Sequence, residues 1–378
     1  MDARAYLGKI LRTREEVAAF LKEDFQGGYD LPNRGWTYDA ELGWVLRDAI
    51  REDGVDGSKT FYHYEPTGCR KRVHFAEKEA RMHTYGNSFT HCDQVSDGET
   101  WQEYLAAHLQ EPIENYGIGG YSVYQAYRRM LKVEAEHPAE YIVLNIWDDD
   151  NFRNLDSWRA IRFGRKTSCG YTLPHLRVDL AEDAVEEIDN LCPAPRDIYN
   201  LCDVDWALET FSDDPVLKVV LAQGEARTPE LAEAVPVSFG IPFDGKGTPD
   251  ADDLKKIHTR AALRATRFVL EKTEDFVRQT GKKLFVILSY SRGGVLSALK
   301  GKPAWDQELV DFLKTRDYPF VDLREYHKAE LEGFRLDAET YLNRYYIGHY
   351  APAGNFFFAQ KLKNHIVEWL HPRPLPYA

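Results

Sequence analysis

Two runs constrain the fold more than anything else in the chain: Tyr141-Ile142-Val143-Leu144-Asn145-Ile146-Trp147 and Lys283-Leu284-Phe285-Val286-Ile287-Leu288-Ser289-Tyr290. Each is a nearly unbroken apolar stretch of strand length. A strand without polar alternation has to be covered on both faces, the condition of strands inside a parallel sheet. The surrounding sequence alternates as such a sheet requires. Met82–Tyr85 reads as another strand, followed by a helix over 100–109 with Trp101, Tyr104, Leu105 and Leu109 on one face. A strand ending in Asn115-Tyr116-Gly117-Ile118-Gly119-Gly120 comes next. It leads to a helix over 122–137 that turns Val123, Tyr127, Met130 and Leu131 inward and has Ser122 placed to cap it. A long helix is expected over 252–279, a short strand over 320–323, and a last helix from Pro352 that carries Phe358, Leu362, Ile366 and Leu370 on one face. This alternation predicts an α/β fold, a flavodoxin-like three-layer sandwich with a parallel sheet of about five strands.

Four segments organise the chain. Residues 1–79 read as an N-terminal extension. It has a short amphipathic helix over 14–21, an aromatic turn-rich stretch around Tyr29, Leu31-Pro32-Asn33-Arg34-Gly35-Trp36 and Gly43-Trp44, and a strand then turn at Tyr62-His63-Tyr64-Glu65-Pro66-Thr67-Gly68. Residues 80–150 and 252–378 hold the two parts of the α/β core. Residues 151–251 carry many acids, several prolines and few periodic runs, and read as an insertion over the active edge of the sheet.

Composition narrows the partners. A net charge of -13 disfavours nucleic acid and anionic membrane, so neither is expected. The five cysteines, Cys69, Cys92, Cys169, Cys192 and Cys202, form no CxxC pair, which argues against a zinc ribbon. Buried thiols are the expectation, with a Cys192–Cys202 bridge left open. The start Met1-Asp2-Ala3-Arg4 has no apolar signal region and no long apolar span follows, so a soluble, cytoplasmic chain is expected, with export left open. No cofactor is called for.

The chemistry concentrates at three places. Strand Met82–Tyr85 ends in Gly86-Asn87-Ser88-Phe89-Thr90 and runs toward a helix, where an α/β enzyme exposes a nucleophilic hydroxyl on a tight glycine turn. The G-x-S-x-G elbow is not matched, because Phe89-Thr90 follow the serine. The Gly117-Ile118-Gly119-Gly120 turn can present a backbone N–H to an oxyanion. Tyr345-Tyr346-Ile347-Gly348-His349-Tyr350 offers a base just before the last helix. All three map to the C-terminal edge of the sheet, where such folds place their sites.

In this order the three segments resemble the blocks of the SGNH hydrolases, also called the GDSL esterase and lipase family. Gly86-Asn87-Ser88-Phe89-Thr90 looks like the first block, with Asn87 where Asp is common, Asn115–Gly120 like the second, and His349 with Gly354 like the last. The resemblance covers 80–150 and 252–372. It implies Ser88 as nucleophile, His349 as base, and the N–H groups of Ser88 and Gly120 as oxyanion donors. Two positions depart from the pattern. The family's third-block Asn falls on Asp149 or Trp147, while Asn145 lies inside the strand. A carboxylate aimed at an oxyanion would repel it. The Asp normally three residues before the histidine is Tyr346, which can hydrogen-bond His349 but brings no charge. Ser88 and His349 are therefore expected to act as a dyad, with a backbone carbonyl or another acid as third member.

The run Asp148, Asp149 and Asp150 opens a second chemistry. Carboxylates with pKa values pushed apart serve glycoside hydrolysis; the same run can bind a divalent cation or stand as a solvated loop. A non-catalytic carbohydrate-binding protein is the third alternative. The 22 Tyr and 8 Trp suit either a sugar cleft or a large aromatic core. Beside the site, Trp147 reads as a stacking platform or core residue and Arg292 as a clamp for a substrate carboxylate or sulfate. His91 reads as structural or cleft-facing, and Asp93 as cleft-facing or a helix cap. The leading expectation is a hydrolase of a carbohydrate ester such as an acetylated sugar, with a small molecule or carbohydrate as partner.

Overall fold

The computed structural model describes residues 2–21, 35–165, 167, 170–224, 227–243, 245 and 247–370. Tyr29, residues 31–34 and Cys169, all singled out above, lie outside them. Five strands form one parallel sheet: β1 (Met82–Tyr85), β2 (Ile113–Asn115), β3 (Tyr141–Trp147), β4 (Lys283–Ser289) and β5 (Phe320–Asp322). Their order across the sheet is β5-β4-β3-β1-β2. Numbered along the chain this is the flavodoxin-like order, whose topological switch point lies between β1 and β3. The two apolar runs of the sequence are neighbours, paired from Tyr141 opposite Lys283 to Trp147 opposite Ser289. All of β1 is buried, as is β3 up to Ile146, which is why neither strand alternates.

Nine helices matter below: α1 (Ser88–His91), α2 (Trp101–Leu109), α3 (Val123–Glu136), α4 (Ala251–Thr280), α5 (Arg292–Leu299), α6 (Gln307–Lys314), α7 (Leu323–Glu332), α8 (Ala338–Leu342) and α9 (Pro352–Leu370). Their starts follow local chemistry. The Thr100 hydroxyl accepts from Glu103 N at the head of α2, and Ser122 forms a reciprocal capping box with Gln125 at the head of α3. Both helices bury the faces marked by their apolar spacing, with Trp101, Leu105 and Leu109 on one and Val123, Tyr127 and Met130 on the other.

The chain forms two compact units, one of residues 46–150 and 271–378, the other of residues 1–45 and 151–270. The first contains the sheet and an antiparallel pair, Ala49–Arg51 with Thr60–Tyr62. The second has its own core, with Leu7, Val17, Trp158, Ile198, Phe211 and Leu217 fully enclosed. Its stretch of few periodic runs is nonetheless regular. Helices Pro215–Gln223 and Pro229–Ser238 each begin on a proline behind a capping Asp214 or Thr228, and His175–Asp179 pairs antiparallel with Ala184–Ile188. Proline costs nothing at a first helical position, because its missing N–H has no partner there anyway. Cys192 and Cys202 are both free, so the bridge left open by the sequence is not formed. Among the described residues no helix is long and apolar enough to cross a membrane.

Candidate active site

The turn after β1 is built for close approach. Gly86 has φ +153°, and a Cβ there would lie 2.1 Å from Thr90 Oγ1 and 2.5 Å from the Asn145 carbonyl. No larger residue fits between α1 and β3. Asn87 then caps α1, its Oδ1 accepting from Phe89 N at 2.8 Å. Its Nδ2 donates to Asp150 Oδ1 at 2.8 Å, and Asp150 Oδ2 accepts from Trp147 N at 3.0 Å. Asp150 thus ties the turn after β1 to the end of β3. The loop after β2 joins the same assembly, with Ile118 N donating to the Gly86 carbonyl at 3.0 Å, two residues before Gly120.

Ser88 follows Asn87 and is 6% exposed. Its Oγ lies 2.8 Å from His349 Nε2, although 261 residues separate the two. On the far side of the ring, His349 Nδ1 is 3.1 Å from Gln94 Oε1, and the same oxygen accepts from His349 N at 2.7 Å. A backbone N–H can only donate, so the atom facing it is the amide oxygen, not the nitrogen. That fixes the tautomer. Nδ1 carries the proton and Nε2 is left with its lone pair toward the serine hydroxyl. Gly348 makes this contact possible: its φ is +124°, and a Cβ would come 2.6 Å from Gln94 Oε1.

Gln94 is held from three sides. Its Nε2 donates to the Asp53 carbonyl at 2.9 Å, and its own N–H donates to the Tyr62 hydroxyl at 2.7 Å. The loop that carries it is gathered by Arg70, which is 2% exposed. The Arg70 guanidinium donates to the carbonyls of His91, Cys92 and Val95 at 2.5–2.9 Å and to Asp97 Oδ1 at 3.0 Å. Asp53, Tyr62 and Arg70 all come from the stretch read in sequence as an extension.

The third member of the array is therefore Gln94, a neutral amide, where the sequence led to a carbonyl or an acid. Tyr346 does not take that place. Its hydroxyl donates to the Tyr290 carbonyl at 3.1 Å and contacts the Tyr350 hydroxyl at 3.1 Å. No motif announces Gln94; its only trace in sequence is its nearness to Ser88.

His91 serves the scaffold. Its Nδ1 bonds Asp93, its Nε2 is 2.6 Å from the Tyr64 hydroxyl, and its ring is stacked between Tyr62 and Tyr64. Burial pulls its pKa down to about 4 against the pull of Asp93, so the ring is neutral near pH 7. Burial raises Asp93, but its hydrogen bond with His91 and its interactions with His349 and Arg51 outweigh it and leave the carboxyl below its usual value. Arg292 is committed as well, donating to Glu339 Oε2 at 2.8 Å and Asn343 Oδ1 at 2.9 Å.

Two of the aspartates after β3, Asp148 and Asp150, point into the protein's own frame. Asp150 is 1% exposed and makes the two bonds given above. Asp148 Oδ2 accepts from Ser291 Oγ at 2.8 Å and Ser291 N at 3.2 Å. Burial pushes its pKa up to about 6 despite those bonds. The Asp149 N–H donates to Asp148 Oδ1 at 3.0 Å. Asn145 donates to Thr90 Oγ1 at 3.0 Å inside the sheet, which directs its amide at the scaffold. Trp147 stacks on Phe89 at 5.1 Å, and Phe89 lies 5.0 Å from the His349 ring, so this aromatic wall borders the base. Among the described residues no group of three or more His, Cys, Asp or Glu side chains is placed to hold a metal ion. No known family model matches the chain, and no curated protein matches its sequence.

Proposed function

We propose that this chain is a serine hydrolase of the SGNH type that cleaves a carbohydrate ester, such as an acetylated sugar. The observation that carries this reading is the 2.8 Å contact of Ser88 Oγ with His349 Nε2, with Gln94 fixing the opposite side of the ring. His349 Nε2 takes the Ser88 proton as Oγ attacks the acyl carbon, and the imidazolium then gives that proton to the departing alcohol. Water activated by the same nitrogen releases the acid. Ser88 N–H has no acceptor among the described residues, so it is available to the oxyanion, and Gly120 N–H is the proposed second donor. Gln94 does the orienting work of a triad acid without its charge. It selects the tautomer but offers the imidazolium a dipole only. The sugar preference rests on the chain's aromatic content and the Trp147–Phe89 wall beside His349.

The carboxylate reading has one observation in its favour, the elevated Asp148 pKa, which is the property of a general acid. Both Asp148 and Asp150 are nonetheless engaged with the scaffold, and the serine reading is preferred for that reason. The test is hydrolysis of p-nitrophenyl acetate and of an acetylated xylo-oligosaccharide by wild type and Ser88→Ala. Turnover that survives Ser88→Ala would sink the proposal.

A further inference from the structure

A cavity of about 650 Å³ opens beside β5, walled by α5, α6, α7 and the segment between α5 and α6. That volume is typical of small-molecule sites, which run about 300–1,000 Å³. Ser88, Gln94 and His349 do not line it. Tyr290, Trp305, Phe320 and Tyr326 do, together with the His365 imidazole. Trp305 is 38% exposed, unusual for so large an apolar side chain.

The charges around these rings are of both signs and mostly paired. Lys302, Lys314 and Lys328 face the cavity, as do Asp322 and Glu325. Lys328 bonds Glu325 at 2.7 Å and Lys314 bonds Asp311 at 2.9 Å. Arg324, also in the lining, bonds Asp306 at 2.5 Å and Asp322 at 2.6 Å, and the Tyr290 hydroxyl donates to Asp306 at 2.8 Å.

This pattern sorts ligands by chemistry. An anion would approach Asp322 and Glu325, and a cation would approach three ammonium groups and Arg324. An alkyl chain would strip water from the polar walls and return no hydrogen bond. A sugar ring meets every condition. Each hydroxyl donates to carboxylate oxygens and accepts from ammonium or amide groups, while the apolar C–H face lies on an aromatic ring. We infer that this cavity is a saccharide-binding site, separate from Ser88, for a neutral pyranose unit of an oligosaccharide stacked on Trp305. The inference stands on the cavity alone and does not require the serine chemistry.

The test uses the full chain with three neutral probes, cellotetraose, mannotetraose and chitotetraose, and one acidic probe, tetragalacturonate. Binding is followed by calorimetry and tryptophan fluorescence. Two variants report on the cavity. Trp305→Ala removes the platform, and Ala298→Trp fills the space while keeping it; melting temperatures check that both fold. The expected result is saturable binding of at least one neutral probe, equal in wild type and Ser88→Ala, and weakened at least about tenfold in both cavity variants. Three results overturn the inference: no saturation with any neutral probe, binding indifferent to both cavity variants, or tetragalacturonate binding more tightly than every neutral probe.

Discussion

The loops after β1 and after β3 leave the same edge of the same sheet, and both carry residues suited to catalysis. They use those residues in opposite ways. After β1, the backbone is fixed by Gly86, Asn87 and Arg70, and Ser88 Oγ is left facing an imidazole. After β3, the carboxylates themselves do the fixing, Asp150 on Asn87 and Trp147 N, Asp148 on Ser291. Polar residues at one edge of the sheet therefore divide into a hydroxyl that faces a base and carboxylates that face the scaffold, according to where their hydrogen bonds end. Charge and proximity alone do not separate them.

Breaking the first loop should have the largest effect. Ser88→Ala and His349→Ala are each expected to lower kcat on the order of 10⁴-fold or more, with little change in melting temperature. An aspartate change of equal size would erase the contrast between the loops. Gln94→Ala leaves both His349 N–H groups without their acceptor and is expected to reduce kcat/KM on the order of 10²-fold. Gln94→Glu keeps the acceptor and adds a charge that favours the imidazolium. Its acid limb of kcat/KM against pH should therefore move to higher pH than in wild type.

The second loop should answer in stability. Asp150→Ala removes the carboxylate that accepts from Asn87 Nδ2 and Trp147 N, a cost of about 1–3 kcal/mol seen in chemical denaturation. Asp148 gives a pH signature. Its folded pKa, about 6, lies above the ordinary 3.8, so ionising it costs the folded state stability as pH climbs between those values. Asp148→Asn should thus gain melting temperature relative to wild type above pH 6, and the gain should vanish below about pH 4. Asp149→Asn is the mildest change, expected to stay within about 0.5 kcal/mol in stability and to leave turnover almost untouched.

Much of this comparison was legible in sequence, for identifiable reasons. The strands showed because burial on both faces erases alternation, as in Tyr141–Trp147. Ser88 and His349 showed because each sits next to a helix start on the sheet's active edge. Gln94 did not show. Its role depends on a left-handed backbone, φ 72°, on the carbonyls collected by Arg70, and on Asp53 and Tyr62 from a distant hairpin. None of these leaves a local pattern. The aspartate run is ambiguous for a different reason: three consecutive acids suit a catalytic pair, a cation site or a solvated loop alike, and only the acceptor geometry shows that two of them bond the scaffold. The helices at Pro215 and Pro229 were hidden because their acids and prolines look like a loop, although Asp214-Pro215 and Thr228-Pro229 are good helix starts.

The most direct test of the central claim, that Ser88 is an activated nucleophile, is intact mass after exposure to a fluorophosphonate. The account predicts a single adduct on wild type, mapped to Ser88, and none on Ser88→Ala or His349→Ala. A folded wild type that takes up no adduct, or one labelled equally well without Ser88, would contradict it.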